Sequence, residues 1–509
     1  MSHSLLPRII SRITLYHTSI LSPCGLLTFI DTVYKMRRWT QKFSKGDISV
    51  TGLKIQYSIP PQVLPIFEAF EREGVEVYLV GGTVREILRG LTQELNDFDF
   101  ATPTSADDTS RILRKAGIRP IPIGIQFGTI GAHLGELRID ITSFRKGEEY
   151  QPHSRHPQVD FGGSIEEDLR RRDFCMNAIA MTKSGDLIDP FDGVKDILNK
   201  HISVPQDPER TFSDDPLRLL RAARFVSQLG FSVVPSVKKT AHRMSFLITT
   251  VSRERWKMEM DKLLMGEDVH RGLEYMLETE LLNFMMPELT VLRGFNQTDR
   301  YHHKDVWEHT KRALKSSVKQ IDVRWALLFH DIGKPYTKSV QDGQVHFYHH
   351  ELVGEMLARS LMFRFRFSSE QRKKVSMLIF NHMRPNMYDD DWNDSAIRRL
   401  ARDMQGHVFD LINLSRADIT SQRPETVRRG LERLDKLEHR VKKVLEEEEK
   451  QPLLPKGMGT AIMEHFGIQE GPEVGMHMKK LLKAVDEGEL EPGRDYAYYL
   501  EFLSKAGNT

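Results

Sequence analysis

Apolar positions between residues 52 and 200 change their period several times, which predicts mixed α and β structure. Pro61 to Glu73 has helical spacing. Val75 to Val80 is a short apolar run ending at Gly81-Gly82 and predicts a strand, and Thr83 to Leu88 predicts a short helix closed by Gly90. Phe98 to Ala101 predicts a further strand, and Ala106 to Ala116 a helix that stops at Gly117. Gly128 to Leu134 and Leu137 to Ser143 predict two strands joined at Gly135-Glu136, a hairpin signal. Arg145 to Gly163 is polar, with Gly, Pro, His and Ser throughout, and predicts a long mobile loop. Beyond about residue 205 the strand signals fade. Pro216 to Leu229 and Arg253 to Leu264 have helical spacing, Gly266 to Gln297 reads as a junction, and a histidine-rich helical block runs from Tyr301 to Asp418. Glu446 to Glu449 reads as a solvated helix face, and Pro452 and Pro455 interrupt the chain before a last helical segment.

At 509 residues the chain is long enough for several domains. Charged residues make up 28%, but the net charge is only +2, so any RNA contact must come from a local patch. The two cysteines, Cys24 and Cys175, are far apart in sequence and point to a reducing compartment without a disulfide framework. No run reaches the roughly 18 to 20 apolar residues of a membrane span, so no membrane partner is expected. Residues 1 to 45 carry Arg8, Arg12, Lys35, Arg37, Arg38 and Lys42 against the single acid Asp31, a weak transit-peptide pattern. The plainer reading is a dispensable extension preceding a start at Met36. A cytoplasmic location is expected, or a mitochondrial one if the extension is a transit peptide.

Candidate chemistry centres on Asp97-Phe98-Asp99. Alternate residues of a strand share a face, and two carboxylates held that close repel unless a cation sits between them. Upstream, Gly81 and Gly82 offer bare backbone that a triphosphate can approach, with Arg85 three residues on. Asp140, in the apolar strand Leu137 to Ile141, is either a third carboxylate or a strand-edge residue. A phosphate cradle, an arginine and a metal-binding pair suit metal-dependent nucleotidyl transfer, with hard oxygen ligands for Mg²⁺.

Two further blocks follow in order, Glu167 to Ala178 (with Arg171-Arg172-Asp173) and Asp214 to Phe225 (with Asp215, Arg218, Arg221 and Arg224). With these, the chain resembles the class II tRNA nucleotidyltransferase and poly(A) polymerase family, in its bacterial CCA-adding form with a C-terminal HD domain. The resemblance implies an α/β nucleotidyltransferase (polymerase-β-like) head followed by all-α neck, body and HD domains. It implies that Gly81, Gly82 and Arg85 contact triphosphate and that Asp97 and Asp99, with Asp140, form the catalytic metal site. Arg172 and Asp173 would contact phosphate and ribose. Asp215 and Arg218 would pair with the incoming base, and Arg221 and Arg224 would add nucleotide contacts. Spaced i, i+3, Asp215 and Arg218 are expected to meet on one helix face. Glu86 stands where the family usually has aspartate, and Asp214 where it usually has glutamate. The polar loop, including Arg155-His156-Pro157, resembles a flexible loop that enzymes adding only CC are described as lacking.

In the helical half, His309, His330-Asp331 and Asp418 resemble the ligands of an HD phosphohydrolase, with His350 and His382 as candidates to line the same site. Imidazole with carboxylate suits a divalent ion, and the sequence leaves open which. Lys311, Lys315, Arg398, Arg399, Arg428, Arg429, Lys436 and Arg440 are candidate RNA contacts, each of which reads equally as a solvated helix residue. The expected division is 1–50 extension, 51–204 head, 205–298 neck, 299–445 HD domain and 446–509 helical tail. The expected function is addition of CCA to tRNA from CTP and ATP. The rivals are A addition, poly(A) synthesis, or an HD phosphohydrolase with an inactive RNA-binding head. The oligomeric state is left open.

Overall fold

The computed structural model describes residues 59–92, 95–125, 128–149, 158–295, 305–421, 423–450, 453–486 and 488–505. The 1–45 extension, Cys24 and the Arg155-His156-Pro157 segment lie outside them. The elements discussed below belong to one compact unit, Ile59–Ser184 with Ile188–Thr509.

The head is built on a mixed sheet of β1 (Tyr78–Val80), β2 (Asp97–Thr102), β3 (Ile121–Gly124), β4 (Thr129–Leu134), β5 (Leu137–Ser143) and, beyond a separate ribbon, β8 (Ala180–Met181). These strands lie in the order β3-β4-β5-β2-β1-β8. Alternation decides what each face carries. Phe98 and Phe100 of β2, with Ile139 and Ile141 of β5, are buried on one face, where Phe67 of the helix Leu64–Arg72 meets Phe100 at a 5.3 Å ring separation. Burial of each such side chain contributes roughly 2 kcal/mol, which fixes the register. The opposite face therefore receives Asp97, Asp99 and Asp140.

The predicted hairpin forms between β4 and β5, with Leu134 opposite Leu137. Within the loop expected from Arg145 to Gly163, β6 (Arg145–Glu149) and β7 (Gln158–Phe161) pair antiparallel. Pairing of the flanks satisfies backbone groups that a free loop would leave to solvent.

After the head the chain is mostly helical, not entirely so. Ser232–Val233 pairs parallel with His201–Ile202 at the end of the head, and Lys338–Gln341 and Gln344–Phe347 form a hairpin. The expected junction after Gly266 is a packed region with the helices Val269–Glu278, Leu281–Met285 and Pro287–Thr290, which bury Leu273, Met276, Leu281, Leu282, Met285 and Leu289. Arg324, on the buried helix Ile321–Phe329, donates to the Gly266 carbonyl at 2.9 Å and to the Leu264 carbonyl, tying neck to HD domain. Trp325 Nε1 donates to Asp261 at 2.7 Å across the same seam. The helices Met458–Phe466, Pro472–Asp486 and Tyr496–Lys505 close on their own core around Ile462, Leu481 and Tyr499. Among the described residues no helix is long and apolar enough to cross a membrane.

Candidate nucleotidyl-transfer and metal sites

In the head, three neighbouring strands and one turn bring the first group together. β2 runs parallel to β5 with Asp99 in register with Asp140, and antiparallel to β1 with Val80 opposite Asp99. Val80 leads directly into Gly81, whose φ of 74° and ψ of −139° suit glycine alone. A β-carbon there would come within 3.2 Å of Arg172 Nη1 and 3.5 Å of Asp99 Oδ2, so the turn presses backbone against both side chains. Asp97 and Asp99 are both exposed. Asp99 is nevertheless crowded by protein. That loss of solvation, with repulsion from Asp140 and Asp97, raises its carboxyl above the ordinary range against the opposing pull of Arg172. Asp140 is held by Arg138, with Nη2 to Oδ2 at 3.0 Å. Like charges crowded on one face fit a divalent ion.

The basic residues of the head divide into two sets. Arg172 lies beside Asp99 and Gly81 and is braced by Asp168 at 3.0 Å. Arg85 is turned into the interior: its Nε donates to Glu86 at 2.8 Å, its Nη1 to Asn177, and its guanidinium lies 5.2 Å from the Phe225 ring centre. Glu86 also binds Arg89 at 2.7 Å.

Asp173 is buried, accepting from Asn177 Nδ2 at 2.9 Å, from its neighbour's backbone N–H at 2.8 Å, and from Arg221 Nε at 2.9 Å. Burial opposes its charge, but Arg221 and Asn177 outweigh burial and hold the carboxyl well below its usual value. Arg224 pairs with Glu259 at 3.0 Å, while burial and the nearby Arg221 lower its guanidinium to about 10. Asp173→Asn leaves Arg221 half-paired and is expected to destabilise the chain by about 3 kcal/mol in urea unfolding. Because the folded pKa is depressed, this stabilisation is complete above an unfolded carboxyl's value of about 4 and fades as pH falls below it. The gap between wild type and variant should close in acid.

The expected side-by-side pairing of Asp215 and Arg218 is not formed. Asp215 is extended (φ −144°, ψ 99°) after the helix Pro208–Asp214, and a new helix, Leu217–Leu229, begins beyond Pro216. Asp215 pairs with Arg255 at 3.2 Å, while Arg218 donates to the Arg171 carbonyl at 2.6 Å and the Thr211 carbonyl at 3.3 Å. Asp214 accepts from Gln206 at 3.0 Å. Arg255, Glu259, Asn177 and Asp168 are thus site residues that sequence reading left without a role. Arg255 and Glu259 share an i, i+4 face, a signal that becomes meaningful only once their helix is placed against Asp215 and Arg224.

A second group lies in the HD domain. His309, His330 and Asp418 present ligand atoms within 4.8 Å of one another, and Asp331, His350 and His382 do the same. Among the described residues these are the two sets of three so tightly drawn, so Asp97, Asp99 and Asp140 converge less closely. The Nδ1 of His330, His350 and His382 lies 2.8, 2.8 and 2.7 Å from the carbonyls of Leu327, Phe347 and Ile379. A carbonyl only accepts, so Nδ1 carries a proton, and in the neutral imidazole Nε2 offers a lone pair. His309 Nδ1 is bound by Thr420 at 2.6 Å. The Nε2 atoms then face each other, 3.2 Å apart between His309 and His330 and 3.2 Å apart between His350 and His382. For His350 and His382, whose Nδ1 protons both go to carbonyls, two lone pairs at that range require a proton or a cation between them.

Asp331 stands between the pairs. Its Oδ2 is 3.3 Å from His330 Nε2 and 2.6 Å from Lys334 Nζ, and its Oδ1 is 3.6 Å from His350 Nε2, buried and without a hydrogen-bond partner. Burial disfavours charge on His330, yet Asp331 and Asp418 push its imidazole up to about 10. Burial and the nearby His330 push His382 down to about 4. An orphaned carboxylate oxygen facing paired lone pairs fits divalent metal.

Several candidate RNA contacts are ion-paired: Lys311 with Glu308 at 2.7 Å, Arg428 with Glu432 at 2.6 Å, Lys436 with Asp390 at 2.9 Å and Arg440 with Asp394 at 2.8 Å.

Residues 77–203 match the poly A polymerase head domain family, 230–292 the probable RNA and SrmB-binding site of polymerase A, and 300–421 the HD domain family. A CCA-adding enzyme of Anoxybacillus flavithermus is 39% identical over 228 residues, 45% of this chain and 56% of that protein. One of Geobacillus sp. (strain WCH70) is 40% identical over 224 residues, 44% of this chain and 54% of that protein. The chain therefore spans little more than half the length of these curated relatives. The crystal structure of a Bacillus stearothermophilus CCA-adding enzyme in complex with CTP is similar over 88% of this chain and 100% of its own, at 25% identity and a TM-score of 0.63.

Proposed function

Since residues 77–203 belong to the poly A polymerase head domain family and an HD domain follows, we propose that this chain adds CCA to tRNA 3′ ends from CTP and ATP. The observation that carries the reading is the register of Asp99 with Asp140 beside the Gly81 turn and Arg172. Asp97, Asp99 and Asp140 would hold Mg²⁺, which supplies charge neutralisation at the transferred phosphate and a more acidic attacking hydroxyl. The tRNA 3′ hydroxyl loses its proton to solvent as its oxygen bonds to the α-phosphorus of the nucleotide, the α–β bridging P–O bond breaks, and pyrophosphate leaves. Arg172, braced by Asp168, neutralises triphosphate charge next to Gly81. Arg85, Arg221 and Asp173 act from behind, fixing the head against the helix Leu217–Leu229. Asp215 and Arg218 read the base, with Arg255 holding the carboxylate in the nucleotide-free state.

Transcripts ending before CCA, after C and after CC decide between the rivals. CTP then ATP should be incorporated on the shorter ends, and ATP once on the CC end. ATP on the CC end with no CTP on any substrate would assign A addition, and long ATP runs would assign poly(A) synthesis.

The HD domain supports a second activity, hydrolysis of a phosphoester by a centre of two divalent ions. Asp331, with one oxygen toward each histidine pair, is the observation that favours it. His309, His330 and Asp418 would hold one ion, and His350 and His382 the other. Such ions supply an acidified water and polarise the phosphate oxygens. Lys334 adds a positive charge at Asp331 for an incoming phosphate.

A further inference from the structure

We infer that Arg138, with Ile123 on the edge strand beyond it, seats the 3′-terminal nucleotide of the RNA primer, the Arg138 guanidinium taking the phosphate that joins this nucleotide to the one before it. This rests on the reading of the head as a nucleotidyltransferase. Strand pairing sets two rows of residues on the face that carries the acids. His133 of β4, Arg138 of β5 and Asp97 of β2 form one row, and Gly131, Asp140 and Asp99 form the other. Arg138 donates from Nε to Asp140 Oδ1 at 3.3 Å and from Nη2 to Oδ2 at 3.0 Å. Its side chain is 51% exposed. A guanidinium has five N–H donors, so holding Asp140 leaves others for a phosphate. In the second row, Gly131 has no side chain beside Asp140. A β-carbon there would collide with the Ile123 side chain, so Ile123 of β3 lies over Gly131 on this face, 48% exposed.

The direction of the reaction decides which ligand meets these residues. Attacking and leaving oxygens lie roughly in line, on opposite sides of the transferred phosphorus. The strands run in the order β4-β5-β2-β1, with the Gly81 turn and Arg172 on the β1 side of Asp99. The leaving pyrophosphate belongs on that side, so the attacking 3′ oxygen comes from the side of β5 and β4, where His133, Arg138 and Ile123 are exposed. Arg138 precedes Asp140 by two residues on one strand, so their Cα atoms lie about 7 Å apart. A 3′ oxygen at Asp140 therefore puts the phosphate of the same nucleotide within reach of Arg138 and its ribose toward Ile123. One guanidinium then serves both the third carboxylate and the primer, which ties the alignment of Asp140 to a seated RNA end.

The test uses the full chain with Mg²⁺ and no nucleotide, so that binding is read without turnover. The probes are two fluorescently labelled tRNAs ending in CC, one native and one with a neutral methylphosphonate at the last internucleotide link, followed by anisotropy. In wild type the neutral link should weaken binding about tenfold, the worth of one charge-assisted contact. In Arg138→Gln the native primer should bind about tenfold more weakly, and the neutral link should cost nothing further, the coupling that marks a direct contact. Arg138→Lys keeps a point charge and should recover part of the sensitivity to the neutral link. Ile123→Ser should weaken both primers alike, by a few-fold. A neutral link that costs nothing in wild type, or costs the same in wild type and in Arg138→Gln, overturns the seat. The wild-type comparison needs no variant, and equal melting temperatures of wild type and Arg138→Gln exclude a folding defect. Incorporation of ATP into the native primer reports on the head's chemistry separately. If it proceeds while the neutral link costs the same in both proteins, the seat falls and the transferase reading stands. If no nucleotide is incorporated on any primer while binding depends on Arg138 and that phosphate, the seat stands as a site for RNA ends and the transferase reading falls.

Discussion

Asp99→Asn is expected to lower nucleotide incorporation into tRNA by about a thousandfold or more, the loss that several kcal/mol of metal-borne charge stabilisation implies, without lowering the melting temperature. The two halves of this expectation come from one geometry. Asp99 sits on the solvent face of β2 in register with Asp140, two residues beyond Asp97 on the same strand. Its carboxyl is raised by lost solvation and by those two neighbours. A carboxyl whose folded pKa is raised is ionised at extra cost in the folded chain. That penalty is absent below an unfolded carboxyl's value of about 4 and complete once pH exceeds the folded value. At neutral pH the amide relieves the repulsion, so stability should hold or rise while catalysis collapses. Incorporation assays beside thermal melts check both. Incorporation near the wild-type rate would remove Asp99 from the chemistry, and a large drop in melting temperature would make it a structural residue.

What sequence could and could not foresee follows from the range of each interaction. The period-two pattern of Phe98, Phe100, Ile139 and Ile141 is local, so β2, the β4–β5 hairpin and the face bearing Asp97, Asp99 and Asp140 were all readable. Asp215 and Arg218 were misjudged because i, i+3 spacing was applied across Pro216. The residue before proline is pushed to extended backbone, and proline favours the first helical turn, so Asp215 falls outside the helix expected from Pro216 to Leu229. The β6–β7 ribbon was hidden because Arg145–Glu149 has no apolar residue and the alternation of Gln158–Phe161 covers only four positions, so pairing defines it. Arg255 with Asp215, Glu259 with Arg224 and Asn177 with Arg85 are contacts between distant segments, and no single-chain periodicity announces them. In the HD domain the ligand types were legible. Their division into two groups was not, because it depends on which way each imidazole is turned by carbonyls such as those of Leu327 and Ile379.

That division carries the second large effect. Asp331→Asn should empty the HD domain of metal, abolish its phosphoester hydrolysis and leave tRNA nucleotide addition within a few-fold of wild type. Burial opposes the Asp331 charge, yet His330, Lys334 and His309 hold the carboxyl far below its usual range, so at neutral pH it is the anion on which both histidine pairs depend. In wild type, Mn²⁺ at about a hundred times its dissociation constant stabilises the fold by about 2.7 kcal/mol per site, a clear rise in the HD domain's melting temperature. The Asn variant should lose that rise together with both ions counted by elemental analysis. His382→Ala separates one ion from two: it removes a ligand from the His350 side and leaves His309, His330 and Asp418 in place. One ion per chain and part of the thermal rise should remain. If His382→Ala keeps the wild-type metal count and melting shift, the His350–His382 pair binds no ion of its own and the centre holds a single metal. If it loses every ion, the two groups are one site whose ligands act together.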